Sequence, residues 1–183
     1  VVRGLRIGDL FSAASTLTSV FSVKGERLAI VTNGGGPGVM ATDRATDLGM
    51  SLAELSEDTL MRLNEVLPAT WSQANPVDII GDATPERYAR AAEICMNDPG
   101  VDGLLVILTP QAMTDPVATA HAVGQAASKA HKPVLAAWMG GSAVSEGLHI
   151  LNRAGIPSYN TPEKAIRALM HLVSYARNMS MLH

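Results

Sequence analysis

Three short, continuous apolar runs constrain this chain more than any other feature: Leu28-Ala-Ile-Val-Thr32, Gly103-Leu-Leu-Val-Ile-Leu108 and Pro133-Val-Leu-Ala-Ala-Trp138. They lack the polar–apolar alternation of a strand with one wet face, so each must be covered on both sides. That is the condition of a parallel sheet between two layers of helices. The segments between them carry helix starts. Thr84-Pro85-Glu86, Asp115-Pro116 and Thr161-Pro162-Glu163 each put an oxygen-bearing cap before a proline. The cap oxygen accepts an orphan N–H, and proline has no N–H to leave unpaired. Gly49, Gly100 and Gly155 stand where helices should end, as left-handed caps. The alternation predicts a doubly wound α/β sheet.

In order, the pattern predicts an N-terminal helix over 9–22, with Leu10, Phe11, Ala14, Leu17 and Phe21 on one face. A first strand follows over 27–33, then a helix from Pro37 to Leu48 and another over 57–67. Two short segments compete for the next strand, Ser51–Leu55 and Val77–Ile80, with an irregular stretch over 68–75 between them. Helices over 84–97, 116–131, 143–153 and 162–177 alternate with strands over 103–108, 133–138 and 156–159.

Length and charge narrow the function classes. The 183 residues suit one domain, at roughly 100–200 residues each. With 47% apolar residues and a net charge of −3, the chain is not disordered. Its 14 basic against 17 acidic residues give no basic surface, so no nucleic-acid partner is expected. Cys95 is the single cysteine and cannot form an internal disulfide. No apolar run reaches the ~20 residues of a membrane span, and no signal segment opens the chain. A cytoplasmic setting without membrane contact is the expectation. The chain opens Val1-Val2-Arg3 without methionine and stops after Met181-Leu182-His183. We therefore expect a piece of a larger multidomain chain, with 1–24 a helical lead-in from a preceding domain and 25–183 the domain itself.

The strongest chemical feature is Thr32-Asn33-Gly34-Gly35-Gly36-Pro37-Gly38, between the first strand and its helix. Glycines permit close backbone approach, and a helix N-terminus offers N–H donors and positive potential to an anion. A phosphate or carboxylate is the natural guest; the alternative is a tight turn with no ligand. The stretch lacks the Lys-Ser/Thr ending of a Walker loop, and its glycines do not fit G-x-G-x-x-G. Gly81 and Asp82 in the 81–84 loop, and Thr109 and Pro110 after the second apolar run, are candidates for the rim of the same crevice. Asp82 and Asn75 read equally well as turn residues. Asp78 is either inward and paired or at an edge. The loop Met139-Gly140-Gly141-Ser142 has a claim similar to that of Thr109-Pro110. No H-x-x-x-H, C-x-x-C or carboxylate cluster has metal-ligand spacing, so no metal site is expected. Cys95 and the helical methionines read as packing. No complete catalytic set is visible, and an isolated domain of this kind is not expected to turn over.

Arg27-Leu-Ala-Ile-Val-Thr-Asn-Gly-Gly-Gly-Pro-Gly38, Leu55-Ser-Glu-Asp-Thr-Leu60, Asn75-Pro-Val-Asp-Ile-Ile-Gly-Asp-Ala-Thr-Pro-Glu-Arg-Tyr88 and Lys132-Pro-Val-Leu135 together resemble the NDP-forming acyl-CoA synthetases. More narrowly, they look like the last ligase domain of the α part, equivalent to the C-terminal ligase domain of the succinyl-CoA synthetase β chain. The resemblance implies a three-layer flavodoxin-like fold. It also implies the interconversion of acyl-CoA, ADP and phosphate with acid, CoA and ATP through a phosphorylated histidine. Two helices from two similar domains aim their N-termini at that phosphate, and here the matching start is Gly34–Gly38. The phosphohistidine belongs to the preceding ligase domain and nucleotide binding to an ATP-grasp part. CoA, ATP/ADP and Mg are thus implied for a parent protein, with no cofactor in this domain. Thr109-Pro110 stands where the succinyl-CoA synthetase substrate loop carries Gly-Gly, a departure from the family pattern.

The tail Ala154-Gly-Ile-Pro-Ser-Tyr-Asn-Thr-Pro-Glu163 with Met170-His-Leu-Val-Ser-Tyr-Ala-Arg-Asn178 also resembles bacterial protein lysine acetyltransferases that carry a synthetase-like half. The second reading is accordingly a regulatory or scaffold domain that binds acyl-CoA or an anion without catalysis. A receiver domain would need an acidic cluster after the first strand, where Asn33-Gly34 stands instead.

Overall fold

The computed structural model describes residues 25–180. The predicted 9–22 helix lies outside them. Six parallel strands form one sheet: β1 (Arg27–Thr32), β2 (Ser51–Leu52), β3 (Val77–Asp78), β4 (Gly103–Leu108), β5 (Val134–Trp138) and β6 (Ser158–Tyr159). The helices are α1 (Gly35–Asp47), α2 (Glu57–Val66), α3 (Pro85–Asn97), α4 (Pro116–Ala127), α5 (Ser145–Arg153) and α6 (Pro162–Ser180). A single 3₁₀ turn, Gly141–Val144, leads into α5.

The continuous apolar runs feed two cores because successive strand residues point to opposite faces. Ala29 and Val31 of β1, with Leu104, Val106 and Leu108 of β4, join the core under α2 to α5. Leu28 and Ile30, with Leu105 and Ile107, join the core under α1 and α6. The result is the three-layer, flavodoxin-like arrangement.

Strand order is β2-β1-β4-β5-β6, with β3 also paired to β1. Both candidates for the second strand are therefore real, and they share one edge. β2 pairs with Arg27 and Leu28, while β3 pairs with Val31 and Thr32. Between them a side chain completes the ladder. Asn75 Oδ1 accepts the N–H of Ile30 at 3.0 Å, and Asn75 Nδ2 donates to Leu28 O at 2.8 Å and to Ala53 O at 2.9 Å. A buried strand cannot leave its amides unpaired, and Asn75 stands in for the missing backbone.

The caps form at Thr84, whose hydroxyl accepts from Arg87 N, and at Asp115, whose carboxylate accepts from Val117 and Ala118 N–H. Thr161 Oγ1 accepts from Lys164 N at 3.4 Å. Gly49 and Gly155 adopt the left-handed conformation at φ 76° and 80°. Gly100 departs from that reading, since it has no positive φ. Its amide donates to Asp98 Oδ1 at 2.6 Å, and an added Cβ would lie 3.1 Å from Glu54 O, so close approach demands glycine there. The helix predicted over 116–131 stops at Ala127, with Ser128 as its C-cap, whose hydroxyl donates to Gln125 O at 2.7 Å.

Candidate functional site

Between β1 and β4 the chain order reverses direction across the sheet, which makes the carboxyl ends of these strands the switch point. The Gly-rich stretch starts there. The sequence pattern put the helix start at Pro37, but α1 begins at Gly35 with Gly34 as an extended N-cap (φ −151°, ψ 124°). The amide of Gly38 already bonds to Gly34 O at 3.3 Å, which sets the first helical turn two residues earlier. Pro37 sits inside that turn, where its missing N–H costs nothing.

A helix start leaves four N–H positions without intrahelical partners. Here they are Gly34, Gly35, Gly36 and Pro37. Gly34 N–H is taken by Thr32 Oγ1 at 3.1 Å, and that hydroxyl donates in turn to Gly34 O at 2.9 Å. Pro37 has none to offer. Two adjacent donors remain, on Gly35 and Gly36, and both residues are exposed.

The reason for each glycine follows from what a side chain would meet. None of Gly34, Gly35, Gly36 and Gly38 has a positive φ, so no left-handed turn explains them. A Cβ on Gly34 would stand 3.0 Å from Thr109 Oγ1, and one on Gly38 would stand 3.1 Å from Thr32 Cγ2. Packing within the domain accounts for these two. A Cβ on Gly36 would meet nothing within 4 Å, and one on Gly35 only Asp78 Oδ2 at 3.4 Å. The domain's own fold gives no steric reason for glycine at these two positions: Gly36 faces open space, Gly35 meets only the Asp78 carboxylate at ordinary contact distance, and both amides are unused.

The floor of the crevice is a polar clamp. Asn33, 2% exposed, donates from Nδ2 to Thr109 O at 2.8 Å. Its Oδ1 accepts from Thr109 N at 2.8 Å and Thr109 Oγ1 at 2.9 Å. The side chain predicted to face a phosphate is thus spent tying β1 to β4, and it fixes the point from which Gly34 departs. Tyr88 lies fully buried beneath, its hydroxyl donating to Ile107 O at 3.1 Å. Burial pushes that hydroxyl well above its ordinary pKa, and the nearby Asp78 charge adds to the rise.

The expected rim residues divide. Gly81 borders the crevice: a Cβ there would contact Gln111 at 3.6 Å and Asn33 O at 3.8 Å. Asp82 is paired with Arg87 Nη1 at 2.5 Å, and the same Nη1 donates to Ile79 O. Pro110 covers Gly140, whose added Cβ would come within 2.5 Å of Pro110 Cγ. The loops after β4 and β5 thereby touch.

Asp78 ends β3 at the edge of β1, opposite Thr32. Its Oδ1 accepts from Ile80 N at 3.0 Å. Ile80 itself has φ 70°, a conformation that a β-branched residue adopts only under strain.

Among the described residues no group of His, Cys, Asp or Glu could hold a metal ion. No described helix is long and apolar enough to cross a membrane. Cys95 is buried, and burial pushes its thiol up to about 12. A cleft of about 410 Å³ between α4 and α5 lies on the opposite face of the sheet from α1. Sequence reasoning placed Thr32 at the head of the Gly-rich stretch without its hydrogen-bonding role, and it missed Tyr88 and the bridging role of Asn75. Only Thr32, two residues before Gly34, carried a local signal, the serine/threonine turn.

A family model described as the Ligase-CoA domain matches residues 28–183. The chain is 39% identical over 177 residues to ADP-forming acetate–CoA ligase I of Archaeoglobus fulgidus, covering 97% of this chain and 25% of that one. It is 37% identical to subunit alpha of ADP-forming acetate–CoA ligase II of Pyrococcus furiosus, covering 94% of this chain and 38% of the subunit. Among solved structures, the apo dinucleotide-forming acetyl-coenzyme A synthetase 1 of Ca. Korarchaeum cryptofilum superposes with a TM-score of 0.91 at 33% identity. All of this chain and 41% of that one are covered. The same synthetase in complex with phosphate and ADP gives a TM-score of 0.90. The chain thus spans between a quarter and about two-fifths of the length of these relatives.

Proposed function

Because the chain belongs to the Ligase-CoA domain family, we propose that it is the helix-donating ligase domain of an ADP-forming acyl-CoA synthetase. In this reading the exposed amides of Gly35 and Gly36 receive the phosphoryl group as acyl-CoA, ADP and phosphate are converted to acid, CoA and ATP. The observation that carries it is the pair of adjacent exposed glycines that a Cβ would not crowd and whose N–H groups have no partner in the helix. Two charge-assisted bonds at a helix N-terminus hold an oxyanion without any side chain, and the macrodipole adds roughly 0.3–1 kcal/mol.

The domain supplies binding and orientation. The Asn33–Thr109 clamp fixes the donors against both strands of the switch point. The phosphorylated histidine, the nucleotide with its Mg and the CoA are assigned to the rest of the parent protein.

The test is Gly35→Val in the intact parent protein, read as radiolabelled phosphate incorporated on histidine. Labelling should fall at least about tenfold, since branched methyls crowd two bonds of roughly 1.5 kcal/mol or more each. Unchanged labelling refutes the reading. A parent that never labels would instead favour the non-catalytic scaffold role.

A further inference from the structure

The carboxylate of Asp78 has one oxygen in use and one without a partner among the described residues. Oδ1 accepts the Ile80 amide at 3.0 Å. Oδ2 accepts no hydrogen bond from a described residue and stands 3.4 Å from the Cβ position of Gly35, beside the first turn of α1. Asp78 as a whole is half-buried. Two features hold it in place. The Asp78 amide donates to Ser72 Oγ at 2.9 Å, and the backbone is paired to Thr32 on β1.

This oxygen changes what the site accepts. A tetrahedral oxyanion seated on the Gly35 and Gly36 amides is wide enough to bring a second oxygen against Oδ2. If that second oxygen is bare, two negative atoms meet, and the encounter is repulsive. If it carries a proton, it donates a short O–H···O⁻ bond, among the strongest that proteins make. Donor amides on one side and an obligate acceptor on the other therefore read the protonation of the ligand as well as its charge.

We propose that Asp78 is a specificity-determining residue that makes this site selective for hydrogen phosphate over oxyanions with no proton to give. Hydrogen phosphate keeps one O–H after its second ionisation; sulfate keeps none at neutral pH. The inference rests on the phosphate site argued above and names the species it prefers. It also gives Asp78 a role beyond the turn at Ile80, which Oδ1 alone would satisfy.

The experiment uses the intact parent protein and three probes at pH 7: inorganic phosphate, sulfate and fluorophosphate, whose dianion matches hydrogen phosphate in charge but has no O–H. Calorimetric titration should show phosphate binding at least about tenfold more tightly than either of the others, the size expected of one hydrogen bond to a charged group. In Asp78→Asn, Oδ1 still accepts from Ile80, and the amide can donate to a bare oxygen. The preference should collapse to within about threefold, chiefly through tighter sulfate and fluorophosphate binding.

Equal binding of the three probes by the unaltered protein overturns the proposal without need of a variant. A preference that survives in Asp78→Asn overturns it too, while leaving the phosphate site standing. Failure of the site itself looks different: no probe binds, or Gly35→Val leaves phosphate affinity unchanged.

Discussion

Gly36→Ala should make this chain more stable, and Gly38→Ala less, although the two positions are two residues apart in one helical turn. At position 36 an added Cβ meets nothing within 4 Å, and the backbone is already helical. Replacing glycine by alanine there removes unfolded-state freedom and gains roughly 0.5–1 kcal/mol. At position 38 the Cβ would lie 3.1 Å from Thr32 Cγ2 and 3.5 Å from Pro76 Cβ. Thr32 cannot swing away, because its hydroxyl holds both the amide and the carbonyl of Gly34. Overpacking of this kind costs about 1–3 kcal/mol, which outweighs the propensity gain. Urea unfolding of the 183-residue chain would read the contrast as midpoints displaced in opposite directions. In a thermal scan Gly36→Ala should raise Tm by roughly 1–4 °C. The same change narrows the approach to the donors, so phosphate affinity should move against stability. If Gly36→Ala destabilises as much as Gly38→Ala, glycine at 36 is needed by the fold, and the case for a ligand there fails.

Other perturbations test the surrounding frame. Asn75→Ala removes the acceptor of the fully buried Ile30 amide and the donor to Ala53 O, while Leu28 O keeps the Ala53 amide. The loss should be about 2–4 kcal/mol in urea unfolding, the range for orphaning a buried donor and breaking a second bond; a loss below about 1 kcal/mol would mean that β2 and β3 hold the edge without it. Cys95, its thiol pushed up to about 12 by burial, should stay unreactive toward a thiol reagent at pH 8 until the chain unfolds, and fast labelling of the native chain would contradict its placement. Burial pushes the Asp98 carboxyl up, but bonds from Ser56, Thr59 and Gly100 outweigh it and hold it low; Arg27 holds Asp102 low. For a carboxylate depressed on folding, stability is present above the ordinary value of 3.8 and is lost as pH falls through the folded value. Acid titration should therefore weaken the chain below about pH 4, and Asp102→Asn should flatten that slope.

Much of this fold was legible in the sequence because its strands are covered on both faces. The runs at 28–32, 103–108 and 133–138 needed no alternation to be read, and the capping pairs at 84–85, 115–116 and 161–162 marked three helices outright. The choice between 51–55 and 77–80 could not be made from pattern, since both are strands. The residue that reconciles them, Asn75, completes a ladder with its side chain, and no periodicity reports that. The Gly-rich stretch was visible, but not the division of labour within it. Which amides stay free depends on Thr32 and on a helix start that Pro37 disguised. The pairing of Asn33 with Thr109, 76 residues apart, and of Asp78 with the Gly35 turn are tertiary facts.

The central claim is that phosphate meets the amides of Gly35 and Gly36. Its most direct test is a phosphate titration of the ¹⁵N-glycine-labelled chain, following the 16 glycine amides by NMR. The account predicts large saturable shifts at Gly35 and Gly36. Gly34, held by Thr32, and Gly38, held by Gly34 O, should move little. Saturable shifts centred on Gly140 and Gly141, or none at all, would contradict it.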